Sequence, residues 1–432
     1  MSNPPTFAAV TSEPVLGRWS VLGLVLNSVI GAGIFGLPSL VARSLGGAAP
    51  WAFLLSLCLI GPGVAVFAWL AAGLRETGGQ YIYVRNVLGE TWGTVVGWFI
   101  VLVRLSSAAA VTNLFIAYLG ELLPSTGAGV PRALALTLVV GSLGVANFRG
   151  IRHGVGLSNV LTLAKVAALT AFVVIGLLCT ESRTTAPLPQ QLGASNWFEA
   201  LLALTFAYGG FDNALIPTGE TRDPQRATPL ALCVGMAIVS VLYVLVQVVC
   251  MWSVPDLAHT ERPLAAAARS FAGVGGGVAI SVAALASTFG WLSAAFVAVP
   301  RLIAAMATGG ALPRALAGRH ARFQTPHIGT LFWSAAVLLL ALGNGFVWNA
   351  QLSAGARLVT YFTAALLVFH DRYRRRGPAI LFAASLSLVV CAVLVSQLQW
   401  AQVWVLVFVC VLAVGYRWLL NAVHSKPSGM AT

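Results

Sequence analysis

The chain has 432 residues, of which 58% are hydrophobic and only 9% charged, with a mean hydropathy of +0.87. A soluble domain carries about 25% charged residues, so this composition excludes one and points to an integral membrane protein. The formal net charge of +13 invites a nucleic-acid partner, but the placement of Arg and Lys along the chain explains it as membrane sidedness.

Apolar runs of about 17 to 25 residues are long enough to span a bilayer. Twelve follow one another, at roughly 20–43, 50–73, 92–120, 131–147, 157–179, 197–218, 228–253, 277–307, 329–344, 349–369, 378–397 and 399–420, the fourth and ninth being short. With a cytoplasmic N-terminus, sixteen basic residues fall in inner loops and tails, against five outside, Arg43, Arg132, Arg183, Arg262 and Arg269. This positive-inside bias predicts a multi-pass cell-membrane protein, a bacterial inner-membrane protein above all, with both termini cytoplasmic. The first run follows a polar stretch, is too long for a signal peptide and lacks a small-residue cleavage site, so it is expected to remain as span one.

Two runs are interrupted by glycine, at Gly31-Ala32-Gly33 in the first and Gly209-Gly210 in the sixth. Non-helical backbone at membrane depth is tolerated only where it faces protein or a water-filled cavity. The breaks lie at equivalent points of their spans, about a dozen residues in, as expected of a five-plus-five inverted repeat with its binding site at the midplane. Spans eleven and twelve are then an appendage. The expected organisation is a tail over 1–19, a ten-helix transport core over 20–370, two further helices over 371–420 and a tail over 421–432.

Where span one restarts, the amides of Ala32, Gly33 and Ile34 sit at a positive dipole end suited to a carboxylate, and glycine lets the anion reach the backbone. Where the first half of span six stops, carbonyls of Phe206, Ala207 and Gly209 sit at a negative dipole end suited to an ammonium. A zwitterion fits both. Phe206, Tyr208 and Phe211 beside the second break read either as a lid over substrate or as ordinary aromatic packing, and Trp291 as a pocket wall or the same packing.

Charges within the spans are few. Lys165 in span five, one of two lysines in the chain, is an ammonium at a depth where charge is paired, hydrated or functional. Asp212 follows the second break by two residues. It is a proton acceptor, a partner for a cationic substrate, or an acid stabilised at a helix N-terminus. Arg104 in span three acts on selectivity, on Asp212, or pairs elsewhere. Glu220 is an inner-gate acid or an interfacial charge. The six cysteines have no paired spacing and the six histidines no metal-ligand spacing, so neither a metal nor a cofactor is expected. No nucleophile–base set for an enzyme is apparent, and the spans offer few of the intramembrane charges or polar stripes a channel would want.

In chain order, Val29-Ile-Gly-Ala-Gly-Ile-Phe-Gly-Leu-Pro38, Gly78-Gly-Gln-Tyr-Ile-Tyr83, Asn159-Val-Leu-Thr-Leu-Ala-Lys165, Phe206-Ala-Tyr-Gly-Gly-Phe-Asp212 with Gly219-Glu-Thr-Arg-Asp-Pro224, and Ser287-Thr-Phe-Gly290 with Arg301 and Ala311-Leu-Pro313 resemble the amino acid-polyamine-organocation permeases of the LeuT-type fold. The resemblance covers about residues 20 to 370. It implies an all-α membrane protein of twelve transmembrane helices with helices 1 and 6 discontinuous. It also implies an amino acid α-carboxylate on the span-one amides and an α-amine on carbonyls of Ile30 and span six, with Phe206 as a gate. Lys165 matches a lysine that in many such permeases stands in place of a sodium ion, near Gly31 and Ser287 or Thr288. This implies sodium-independent transport, with Lys165 as a proton carrier or a fixed strut. Val103-Arg-Leu-Ser-Ser107 is similar to an Arg-Pro-Ser-Ser stretch of the L-type branch, though Leu105 departs from its proline.

The expectation is therefore a secondary transporter of amino acids, neutral ones before cationic ones, by proton symport. Exchange, polyamine or organic-cation transport, and a sensor on a transporter fold are the alternatives; the short tail after residue 420 argues against the sensor. Oligomeric state is not legible.

Overall fold

The computed structural model describes residues 17–73, 79–150, 155–180, 193–212, 221, 224–370 and 377–424. Glu220, the end of span six and both tails beyond these ranges lie outside the described residues. Among the described residues the protein is helical, without strands: α1 (Arg18–Val29), α2 (Ala32–Leu45), α3 (Ala49–Gly73), α4 (Gly79–Leu88), α5 (Glu90–Leu122), α6 (Gly129–Phe148), α7 (Val155–Cys179), α8 (Ala194–Ala207), α9 (Pro224–Ser253), α10 (Pro263–Thr308), α11 (His327–Gly343), α12 (Phe346–Leu367), α13 (Pro378–Val395) and α14 (Trp400–His424).

The apolar runs fall on these helices, span one on α1 plus α2 and span eight on the part of α10 beyond a kink at Gly273 (φ 66°). Seven helical stretches among the described residues are long and apolar enough to cross a bilayer, and Leu163–Cys179 and His327–Gly343 are shorter apolar helices. This makes a multi-pass membrane protein. The loop after span two holds a helix of its own, α4, turned back onto α5 through Gly89 (φ 88°), a left-handed conformation that glycine accepts without strain. On α4, Tyr83 and Val84 are buried against the bundle.

The interior is built along the largely buried helix α5, which α10 and α12 flank. Around it α1 and α3 pack on α9, and α2 lies between α8 and α10. The outer surface stays apolar, with Leu138, Leu178, Leu339, Phe382 and Trp404 exposed. In water such a surface would drive aggregation, whereas in lipid it is the solvated face, and helices there associate by packing rather than hydrophobic exclusion. α13 packs against α3, α12 and α8, and α14 against α5.

Candidate functional site

A helix stops at each glycine site, and at the first it restarts. α1 stops at Val29, Ile30 and Gly31 are non-helical, and α2 starts at Ala32 with no side chain capping its amides. α8 stops at Ala207, and Gly210 takes φ 108°, open to glycine and strained for other residues. The two breaks touch. A Cβ on Gly33 would lie 2.6 Å from Ala207 Cα, and one on Gly210 would strike the carbonyl oxygen of Ser28. The positive end of half-helix α2 thus meets the negative end of half-helix α8 inside the bundle.

Between them lies a cavity of about 30 Å³, room for a water molecule or two. Its walls include the Gly31–Gly33 backbone, Phe206, Gly209, Trp291, Arg104 and Arg357. On one side of it a vestibule of about 590 Å³ opens, lined among others by Gly36, Ser39, Arg43, Asn113, Arg262 and Phe346. Phe206 lines the cavity and Phe346 the vestibule, with ring centroids 6.1 Å apart at 81°, the edge-to-face arrangement that aromatic pairs favour.

Of the other aromatics beside the second break, Phe211 is buried against Phe67 and Tyr361, and Tyr208 turns its hydroxyl to Phe53 O and Ser240 Oγ, each at 2.9 Å. Neither lines the cavity. Ile34 is buried in α2 without lining it.

Lys165 sits at the first break. Its Nζ donates to Asn27 O and Asn27 Oδ1 at 2.8 Å and to Ile30 O at 2.6 Å. An ammonium has three N–H groups, so these bonds use all of them. They place a cation at the C-terminal end of α1, where the helix dipole favours it. Ser287 and Thr288 are not its partners: Thr288 Oγ1 bonds to Ala284 O, and Ser287 Oγ is buried without a partner. The Ile30 carbonyl, expected at a substrate amine, already holds the lysine.

Asp212 lies between two arginines. Arg357 Nη1 donates to Asp212 Oδ1 at 2.9 Å, Arg104 Nη2 is 3.8 Å from Oδ2, and the Gly210 amide donates to Oδ1 at 3.2 Å. Arg357 stands on α12, and its guanidinium covers Gly209, where any Cβ would collide with it. The carbonyls of the second break are partly used as well. Phe206 O accepts the Gly209 amide, and Ala207 O accepts the Tyr243 hydroxyl at 3.4 Å. The single Tyr243 proton lies nearer Val29 O, at 2.9 Å, so one hydroxyl on α9 stands between both breaks in a bifurcated bond. Carbonyl oxygens have a second lone pair, so these bonds leave acceptor capacity at the end of α8.

Arg357, Asn27, Tyr243 and Phe346 stand at the candidate site, and sequence reasoning does not single them out. For Arg357 a signal exists, an arginine inside an apolar run, which is costly unless paired or functional. For the other three nothing in the sequence distinguishes them from their neighbours.

The amino acid permease family model matches residues 16–429. The chain belongs to the amino acid permease family. Among its relatives, the serine/threonine exchanger SteT of Bacillus subtilis is 28% identical over 369 residues, 84% of each chain. The branched-chain amino acid permease BcaP of Lactococcus lactis is 26% identical over 388 residues, 84% of this chain and 83% of its own. The methylthioribose transporter of Bacillus subtilis is 27% identical over 373 residues, 81% and 78% of the two chains. Family and relatives are transporters, not enzymes, and this permease is a transporter of a small molecule.

Proposed function

We propose that this permease moves amino acids across the cell membrane by alternating access, independently of sodium, on a core of ten helices in inverted repeat with α13 and α14 appended and both termini cytoplasmic. One observation carries the reading: two opposite half-helix ends face one cavity in the interior of the bundle, which suits a zwitterion. The α-carboxylate binds the amides of Ala32 and Gly33, and the α-amine binds the remaining carbonyl lone pairs at Phe206, Ala207 and Gly209. Phe206 and Phe346 form the gate on the vestibule side, which the arginine bias makes the cell exterior.

Lys165 takes the place of a coupling cation. Its three acceptors are neutral oxygens, so the bracing of the first break depends on a proton that no carboxylate partner holds in place. Loss of that proton loosens α1 from α7, which couples proton release to the conformational change. An exchanger with Lys165 as a permanent strut is the second reading, favoured by the likeness to a serine/threonine exchanger.

Uptake of labelled amino acids into proteoliposomes, with and without an inward proton gradient, tests this beside Lys165→Ala. The expected result is uptake indifferent to sodium, stimulated by the gradient and abolished in the variant. Uptake that ignores the gradient but needs internal amino acid makes the protein an exchanger, and failure to transport any amino acid refutes the proposal.

A further inference from the structure

The two buried cations at the breaks occupy parallel places. Lys165 lies ten residues on from the start of α7 at Val155, and Arg357 eleven on from the start of α12 at Phe346. Each meets the C-terminal end of a half-helix. Their bonding differs. Lys165 has spent all three donors on the first break and does not line the cavity. Arg357 does line it, its side chain is 7% exposed, and it pairs with Asp212 and hydrogen-bonds Tyr361. A guanidinium carries five N–H donors in a planar fork, more than these two partners use, so at a cavity wall it has capacity for a ligand.

The charges around the breaks are also unequal. Arg104, Arg357 and Lys165 stand against one carboxylate among the described residues there, that of Asp212. Asp212 is no free partner for a cationic substrate, because one oxygen faces each arginine. A neutral amino acid adds no net charge and leaves this excess of positive charge at a depth where it is costly. An amino acid with an acidic side chain carries a second carboxylate of matching geometry for a guanidinium fork.

We infer that Arg357, with Arg104 behind it, is a substrate ligand for a side-chain carboxylate, and that the transported molecules are acidic amino acids. The inference rests on the amino acid transport reading and replaces the expectation of neutral substrates, which stood on Asp212 alone. The α-carboxylate keeps the α2 amides, the α-amine the α8 end, and the side-chain carboxylate meets Arg357 on the α12 wall. Asp212 holds the guanidinium in position when no substrate is bound.

The test compares glutamate with glutamine and aspartate with asparagine, near-isosteric pairs differing in charge, as labelled substrates in proteoliposomes of the full chain. A charge-assisted bond gives the acidic member an advantage of about 10- to 100-fold in uptake efficiency. In Arg357→Gln the advantage disappears, while Arg357→Lys, which keeps the charge and loses the fork, retains part of it. A bracing role alone predicts instead that Arg357→Gln lowers acidic and neutral uptake equally, and that result overturns the inference. The wild-type comparison decides even where the variants fail to fold. Preference for glutamine or other neutral amino acids sinks the inference and leaves the transport proposal standing, whereas absence of all amino acid uptake removes both.

Discussion

Gly33→Ala separates a steric requirement from a merely permissive glycine. A methyl at Gly33 would lie 2.6 Å from Ala207 Cα and 2.7 Å from Ala207 Cβ. Ordinary carbon contacts are about 3.5–4.0 Å, so α2 and α8 must separate by about 1 Å. One neighbour is backbone and cannot rotate away, which puts the overpacking penalty at about 1–3 kcal/mol. The same shift carries the α2 amides away from the α8 end. If one charge-assisted bond to the substrate carboxylate is lost, affinity falls by about 10- to 100-fold. Gly23→Ala, within α1 and away from the cavity, is the control. Its Cβ would meet nothing within 4 Å. Uptake in proteoliposomes over a range of substrate concentrations, with size-exclusion profiles and thermal unfolding in detergent for both variants, measures the contrast. Gly33→Ala should raise KM sharply and unfold at lower temperature; Gly23→Ala should stay within about twofold of wild type, since alanine suits a helical backbone. Equal behaviour of the two, or normal transport by Gly33→Ala, would refute the contact between the half-helices as the reason for the glycine.

Two further expectations concern residues that only the fold brings to the site. Tyr243→Phe deletes the hydroxyl shared by Val29 O and Ala207 O and should cost about 1 kcal/mol of stability, read as a lower unfolding temperature, together with slower uptake; unchanged values on both would show that the bridge is dispensable. Phe346→Ala should open the vestibule to the cavity, so that Ser28→Cys in a background without native cysteines reacts faster with a charged thiol reagent added from the vestibule side. No change in labelling rate would remove Phe346 from the gate.

What was legible in the chain follows from chemistry that does not depend on partners. Composition identifies a membrane protein because a bilayer imposes an apolar surface whatever the fold. The breaks at Gly31 and Gly209 are legible because a spanning helix has no local reason to interrupt its hydrogen bonds. Lys165 stands out because a lone ammonium in an apolar run demands an explanation. These three readings, with the family resemblance, point to a candidate site at the meeting of the first and sixth spans.

The partners were decided by packing alone. Arg357 reaches Asp212 across 145 residues of sequence, and this contact depends on how α12 lies against α5 and α8. The same packing turned Tyr208 away from the cavity and brought Phe346 to it, gave the lysine to Asn27 and Ile30 rather than to Ser287 or Thr288, and let Tyr243 bridge both breaks. The sequence by itself determined where the helices must break and which end of each half-helix is charged, because backbone dipoles and glycine conformations are local. The tertiary structure decided which side chains share the cavity and how the charges sum there, because electrostatic balance at a buried site is a property of neighbours in space.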